Sequence, residues 1–302
     1  MTTTEQVITL AGEVRQAMDE GVPVVALEST VITHGLPYPQ NLQLAQDMEA
    51  EVRQQGAVPA TVGVVDGRVY VGLSAGQLAA LAQGDGLVKV SVRDYGPAMA
   101  KGLSGGTTVA GTLLAAHLAG LRIFATGGIG GVHRQAPYDV STDLVQLART
   151  PLVVVCAGAK AILDLPATLE VLETYGVPVV GYRTDEFPAF YSLSSGLPVS
   201  ARADTPEQAA RMAQAHWSLG LKSAVLVCVP PPAEEALPAG QVQGAIEQAL
   251  AEAQEGNIHG QQVTPYLLGR VSELTRGSSM KANLALLRNN ARVAGQIARY
   301  LY

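Results

Sequence analysis

The sequence predicts an α/β fold, a single domain over residues 1–302 with a mostly parallel central sheet flanked by helices. Short Val-rich runs alternate with segments of helical periodicity, which is typical of a parallel sheet with helical crossovers. Apolar residues make up 48% of the 302 residues and charged residues only 15%, as buried sheets require. A chain of about 300 residues can bury roughly three quarters of its unfolded surface, so one core suffices.

The elements follow in order along the chain. Apolar runs of four to six residues predict buried strands at 24–27, 87–92, 121–125, 152–156, 177–181 and 224–229. Apolar spacing of three and four predicts helices at 41–54, 107–119, 143–149, 166–175 and 206–219. The last 65 or so residues carry no strand signal. They predict a helical C-terminal region with helices at 240–254, 264–275 and 278–300.

One antiparallel hairpin interrupts the parallel pattern at about 61–72. Alternating valines flank Asp66 and Gly67, and this Asp-Gly dipeptide favours a type I′ turn. Ser74 and Gln77 then form a capping box, which predicts a short helix through Leu81.

Charge and composition exclude several classes of function. Lys and Arg total 20 against 26 Asp and Glu, giving a net charge of −6, so no nucleic-acid footprint is expected. Two cysteines cannot form a disulfide scaffold. The N-terminus lacks a signal-peptide pattern, and the segment 102–121 is too rich in Gly and Thr for a membrane span. We expect a cytoplasmic protein with no membrane partner.

Polar residues lie within or just after four of the predicted strands. These are Glu28 after the first, Lys89 inside the second, Thr126 after the third and Lys160 after the fourth. Because ligands of open α/β sheets bind outside the carboxyl ends of the strands, we expect these side chains to converge on one edge.

Glu28 and Lys160 are the candidates for chemistry. Partial burial would raise the pKa of Glu28 and make it a proton donor, although a helix or turn cap is an equal alternative. Lys160 is expected at the start of a helix, whose positive end favours the neutral, nucleophilic amine. The alternative for Lys160 is a solvated lysine with a packed stem.

Two further segments could bind ligands. The glycine-rich stretch 127–131 could cradle a phosphate with its amides, or be glycine-rich for steric reasons alone. Asp139, Ser141 and Asp143 precede or open a helix, which indicates an N-cap, and their oxygens could also bind a hard cation together with water.

Several motifs together resemble the pseudouridine-5′-phosphate glycosidase family. The most specific are ALESTVITHG at 26–35, ATGGIGGVHR at 125–134 and CAGAK at 156–160. The similarity spans about residue 20 to the C-terminus and includes KVSVRD at 89–94, DVSTDL at 139–144 and SSMKANLALLRNNA at 278–291.

The resemblance implies reversible cleavage of the C–C glycosidic bond of pseudouridine 5′-phosphate to uracil and ribose 5-phosphate, by a manganese-dependent homotrimer. Within it, Lys160 matches the nucleophile, Glu28 the proton donor and Asp139 the metal ligand. The matched substrate-binding positions are Lys89, Val109, Thr126, His133, Ser141, Thr142, Asp143 and Asn283.

The sequence departs from the family pattern in the loop 135–138 and at Thr142. Two other functions remain as alternatives. A ribokinase-like sugar kinase would need a Gly-Ala-Gly-Asp helix start, which is missing from the sequence. A non-catalytic sugar-phosphate binding module would bind ribose 5-phosphate without releasing uracil.

Overall fold

The computed structural model describes residues 7–134, 136–258 and 263–302, with residues 136–138 described by their backbone alone. The strands are β1 Ile8–Leu10, β2 Val24–Leu27, β3 Val58–Val65, β4 Arg68–Val71, β5 Val88–Val90, β6 Gly105–Thr107, β7 Ile123–Ala125, β8 Val132–His133, β9 Ala136–Val140, β10 Val153–Cys156, β11 Leu163–Asp164, β12 Val179–Tyr182, β13 Ala201–Ala203 and β14 Val225–Cys228. The helices are α1 Gly12–Asp19, α2 Gln40–Gln54, α3 Ala75–Gln83, α4 Tyr95–Ala100, α5 Val109–Leu118, α6 Thr142–Leu147, α7 Leu165–Thr174, α8 Pro206–Ser218, α9 Ala239–Glu255, α10 Val263–Leu274 and α11 Ser278–Ala298.

The predicted α/β class is confirmed, because the central sheet is mostly parallel. Its order is β1-β4-β3-β2-β7-β10-β14-β12-β13, and β6 joins β5 to the side of β3. All strands from β3 through β2 to β13 run parallel, so their carboxyl ends lie on one edge. Cys156 and Cys228 are buried partners in the register of β10 and β14, as ordinary core residues.

The predicted hairpin is also confirmed. Strands β3 and β4 pair antiparallel, and Asp66 and Gly67 both adopt a positive φ, of 49° and 73°. Positive φ at both central residues is what a type I′ turn requires. A side chain at residue 67 would also place its Cβ 2.8 Å from the carbonyl oxygen of Met99.

The long helix α11 packs against one face of the sheet. It packs across β2, β7 and β10, and α2 and α8 pack beside it. Buried alanines, including Ala282, Ala291 and Ala294, allow this close approach. The helix α5 packs on β2, β3 and β6, and seven of its ten residues are buried. In the part of the chain that the structure describes, no helix is both long and apolar enough to cross a bilayer.

Several short elements were not predicted from the sequence. They are β1 and α1 near the N-terminus, β6, and β13 inside the stretch 182–204, which we expected to be irregular. A small second sheet of β11, β8 and β9 is also absent from the prediction. Strands of two or three residues carry too little periodicity to be recognised, because tertiary contacts decide their pairing.

Candidate active site

The residues expected at the carboxyl edge of the sheet do meet, around one cavity of about 470 Å³. Of the predicted site residues, those that line it are Glu28, Lys89, Val109, His133, Asp139, Ser141, Thr142, Asp143, Lys160 and Asn283. Thr126 does not line the cavity, because it is fully buried, but its side chain contacts Glu28. The predicted convergence is therefore observed, but the reason given for Lys89 is wrong: β5 is parallel to β6, which is antiparallel to β3, so β5 runs opposite to β2, β7 and β10.

Glu28 follows β2 and is only 7% exposed. The hydroxyl of Thr126 donates a hydrogen bond to its Oε1. Burial raises the pKa of Glu28, while the nearby Lys160 ammonium and the Thr126 hydrogen bond act in the opposite direction. The predicted direction is confirmed, because the cost of desolvating a buried carboxylate outweighs these two stabilising contacts.

A residue that we did not predict holds Thr126 in place. The amide of Asn290, on α11, donates hydrogen bonds to the carbonyl oxygens of Thr126 at 2.8 Å and Gly127 at 3.3 Å. Asn290 is fully buried. The motif at 278–291 contained this residue, but helical periodicity gives no signal for a hydrogen bond to a loop 164 positions away.

The expectation that Lys160 begins a helix is wrong. Lys160 lies in a loop after β10, and α7 begins only at Leu165 with Asp164 as its N-cap. The short strand β11 intervenes and pairs with β8, which the apolar pattern of 161–165 did not reveal. The helix-dipole argument for a neutral amine therefore does not apply at this position.

Main-chain and side-chain contacts fix the loop of Lys160. Its N–H donates to the Ile129 carbonyl at 3.0 Å. Arg134 donates to the carbonyl oxygens of Leu163 at 3.0 Å and Ala161 at 3.1 Å. Arg134 thus tethers the chain directly after Lys160, a role that sequence reasoning missed.

Lys89 and His133 line the same cavity as Lys160 and give it a cationic side. Burial lowers the pKa of Lys89, and the Lys160 charge lowers it further. Burial also lowers the pKa of His133, against the opposing effect of Asp139. Cationic and neutral donors around one cavity suit an anionic group such as a phosphate monoester.

Asp143 has both carboxylate oxygens engaged by the backbone. Oδ1 accepts from the N–H of Ala110 at 2.9 Å, and Oδ2 accepts from the N–H of Gly130 at 2.8 Å. Ser141 caps α6, with Oγ accepting from the N–H of Asp143 at 3.2 Å, as the N-cap interpretation predicted. Asp143 therefore joins the start of α5 to the glycine-rich loop.

The glycine-rich loop 127–131 is tightly packed. A Cβ on Gly128 would lie 2.6 Å from the Phe190 ring, and one on Gly130 would lie 2.8 Å from Asp143 Oδ2. Two of its amides are engaged inside the protein, since Gly130 donates to Asp143 and Ile129 to the Gly158 carbonyl. These contacts support the steric explanation for the glycines over a phosphate cradle built from those two amides.

Asp139 is the carboxylate of the cavity best placed to meet a cation. It is exposed, and within the described residues it accepts no hydrogen bond, whereas Glu28 and Asp143 do. Over those same residues, no group of three or more His, Cys, Asp or Glu side chains could hold a metal. This donor set fits a hard cation that keeps most of its water ligands, not a cage made of protein alone. Residue 135, and the side chains of 136–138, lie outside the described part, and the predicted departure at 135–138 falls there.

Part of the cavity lining is apolar, and sequence reasoning did not find it. Leu268 comes from α10, Met280 and Leu287 from α11, and Phe190 and Tyr191 from the loop after β12. Phe190 and Tyr191 pack edge to face with ring centroids 4.7 Å apart. Such a lining suits a planar ring, whereas the polar side suits a sugar phosphate.

The chain is similar in sequence and in fold to known proteins. Residues 13–300 match the family described as Indigoidine synthase A like protein. Proteins named pseudouridine-5′-phosphate glycosidase from Roseiflexus sp. (strain RS-1) and Herpetosiphon aurantiacus are similar over nearly their whole length. The first is 58% identical over 296 residues, covering 96% of this chain and 94% of the relative. The second is 55% identical over 295 residues, covering 97% of each.

Two solved structures share the fold. The prealnumycin C-glycosynthase AlnA, crystallised with ribulose 5-phosphate, has a TM-score of 0.91 and 42% identity, covering 98% of this chain and 97% of its own. An indigoidine synthase A-like protein from Thermotoga maritima has a TM-score of 0.89 and 35% identity, covering 97% and 95%. By sequence and by fold, the chain belongs to the pseudouridine-5′-phosphate glycosidase family, among the Indigoidine synthase A like proteins.

Proposed function

We propose that this protein reversibly cleaves the C–C glycosidic bond of pseudouridine 5′-phosphate, giving uracil and ribose 5-phosphate. The observation that carries the proposal is a buried carboxyl, Glu28, facing the charge of Lys160 in one cavity at the carboxyl edge of the sheet. The names of the relatives and the sugar phosphate bound to the C-glycosynthase support the same chemistry.

A C–C glycosidic bond has no heteroatom leaving group, so hydrolysis by two carboxylates is a poor route. In our proposal Glu28, whose pKa is raised by burial, acts as the acid and donates a proton to the ribose ring oxygen. The bond between this oxygen and C1′ breaks, and C1′ becomes electrophilic in conjugation with uracil.

Lys160 then attacks C1′ through its unprotonated Nζ and forms a C–N bond. Protonation of the uracil carbon breaks the C–C bond, and the electron pair on nitrogen forms the imine. Water hydrolyses this imine to free ribose 5-phosphate and restores the lysine.

The remaining site residues would hold the substrate. Lys89 and His133 would bind the phosphate, and Thr126 would orient Glu28. The other proposed substrate contacts are Val109, Ser141, Thr142, Asp143 and Asn283. Asp139 would hold a divalent cation, which we propose to be Mn²⁺. When bound, this cation would neutralise negative charge on the substrate.

Mixing the protein with pseudouridine 5′-phosphate and following uracil absorbance tests the reaction. We expect release of uracil, and much slower release from unphosphorylated pseudouridine. ATP-dependent phosphorylation would instead identify a sugar kinase, and reversible binding without uracil a non-catalytic module. Either outcome would overturn the proposal.

Borohydride reduction in the presence of ribose 5-phosphate tests the imine. We expect a covalent sugar phosphate on Lys160 and none on the Lys160→Arg variant. Lys101→Arg, at an exposed lysine, is the matched control and should be labelled at Lys160 like the wild type. Unchanged uracil release by Lys160→Arg would exclude the lysine mechanism.

Treating the protein with a chelator tests the role of the metal. An unchanged rate of uracil release, together with an active Asp139→Ala variant, would exclude that role.

We also propose that the protein is a homotrimer in the cytoplasm. Analytical ultracentrifugation of the full chain tests the trimer, and cell fractionation tests the location.

A further inference from the structure

A second cavity, of about 460 Å³, lies on the other side of α11 from the active site. Asn283 and Leu287 of α11 line the first cavity, whereas Asn289, Arg292 and Gln296 line the second. The second cavity is completed by the segments that follow β12 and β14, at Arg183 and Val229–Pro230. It therefore lies at the carboxyl edge of the parallel sheet, the usual place for ligands in this class of fold. We call it the arginine cleft.

Two guanidinium groups line the arginine cleft without a carboxylate partner. Among the described residues, neither Arg183 nor Arg292 lies within ion-pair distance of an acidic side chain, although Arg53, Arg202 and Arg270 all do. Arg183 donates one hydrogen bond, from Nε to the Asp204 carbonyl. Because a guanidinium has five N–H donors, most of its donors remain for another partner.

Arg292 is similar. It donates through Nη2 to the Asn289 side-chain oxygen, and Asn289 in turn donates to the Pro230 carbonyl at 3.5 Å. Both arginines are exposed residues, so their guanidinium groups are accessible to a ligand in the cleft. A planar guanidinium matches the oxygens of a phosphate in a bidentate manner.

The backbone at Arg183 is held in an uncommon conformation. Its φ is +59°, in the left-handed region that residues other than Gly, Asn and Asp rarely adopt. Its guanidinium carbon lies 5.1 Å from the centre of the Tyr182 ring. Residues with uncommon backbone conformations cost free energy and are held in place by the surrounding structure, and they cluster at ligand-binding and active sites.

Tyr182 supplies a third observation. The residue lines the arginine cleft and is only 4% exposed, and its hydroxyl is buried with no hydrogen-bond partner in the described structure. Buried polar groups are almost always paired, so this hydroxyl is an exception; its oxygen is inaccessible in the free protein, and a ligand would reach it only after a local rearrangement. The unpaired hydroxyl, the strained residue and the two unpaired cations all belong to this one cleft.

We infer that the arginine cleft is a second anion site, which binds a phosphate monoester or inorganic phosphate between Arg183 and Arg292. The site is separate from the proposed glycosidase chemistry, because its residues contribute nothing to the first cavity. Asn289 of α11 lines the arginine cleft, and its neighbour Asn290 donates to the carbonyl of Thr126, so the helix connects the cleft to the residue that contacts Glu28.

Isothermal titration of the full chain with inorganic phosphate, without any turnover, tests the inference. We expect the Arg183→Gln/Arg292→Gln double variant to lose one phosphate per chain, or to bind it at least tenfold more weakly. The matched control is Arg68→Gln/Arg149→Gln, which removes the same charge at two exposed positions and should bind like the wild type.

Equal phosphate stoichiometry and affinity in the wild type and the cleft variant would overturn the site, as would the absence of phosphate binding in the wild type. A parallel titration with ribose 5-phosphate shows whether the ligand is the free ion or its ester. Because uracil release is not part of the measurement, failure of the proposed enzymatic function would leave this result interpretable.

Discussion

Replacing Asp143 with alanine tests whether this carboxylate serves the architecture of the site as well as its ligand. Its two oxygens accept from the N–H groups of Ala110 and Gly130, at 2.9 and 2.8 Å, and the residue is 6% exposed. The first N–H belongs to the first turn of α5 and the second to the glycine-rich loop. Alanine leaves both donors buried without a partner.

The magnitude follows from these two bonds. A hydrogen bond to a charged group contributes about 1.5–3 kcal/mol, and a buried donor left unpaired costs about the same. We therefore expect Asp143→Ala to lower the free energy of unfolding by about 3–6 kcal/mol. Domain stabilities are only about 5–15 kcal/mol in total, so the variant should be severely destabilised.

Urea unfolding followed by far-UV circular dichroism provides the assay. Asp143→Asn, which retains one acceptor oxygen, should lose about half as much as the alanine variant. Asp139→Ala is the control, because this carboxylate is exposed and should change stability by no more than about 0.5 kcal/mol. A loss below about 1 kcal/mol in Asp143→Ala would refute the reasoning.

Three further predictions follow from the same region. The Glu28 pKa is raised, so its contribution to stability is complete below the ordinary value of 4.5 and is lost as pH rises through the folded-state pKa. Glu28→Gln should therefore be more stable than the wild type near neutrality, with the difference closing on acidification in thermal melts. Gly130→Ala should destabilise the fold, because its Cβ would meet Ser141 Oγ and Asp143 Oδ2, whereas Gly244→Ala, with open space around it, should not. Asn290→Ala should lose about 1–3 kcal/mol and slow uracil release, because the Thr126 carbonyl loses its donor. Combining it with Thr126→Val should then slow the reaction little further, and independent effects would contradict a shared action on Glu28.

Sequence reasoning recovered the elements that have strong periodicity, and it placed Glu28, Thr126 and Lys160 correctly at the carboxyl edge of the sheet, whereas Lys89 reaches the cavity from the antiparallel strand β5. Ligands of open α/β sheets bind outside the carboxyl ends of the strands, and this rule alone predicted that Glu28 and Lys160 lie in one site. The helix predicted at 166–175 forms at Leu165–Thr174, but Lys160 does not begin it, because Leu163 and Asp164 pair with β8 as the two-residue strand β11. A pairing that short depends on β8, a strand 30 residues earlier, which no local pattern can reveal.

Lys160 lines the cavity as predicted, although it does not begin a helix. What changes is the physical explanation for its reactivity. A dipole at a helix end would act on Lys160 alone, whereas the cavity surrounds it with Glu28, Lys89 and His133, all perturbed by its charge. The proton equilibria of these groups are therefore linked, and burial opposes charge on each of the other three. In such a cluster an anionic phosphate would favour the charged forms of Lys89 and His133, while a proton on Glu28 removes one of the carboxylate charges that balance them. Binding of the sugar phosphate and protonation of Glu28 should thus be coupled, and the pH dependence of phosphate affinity is the quantity that reports this coupling.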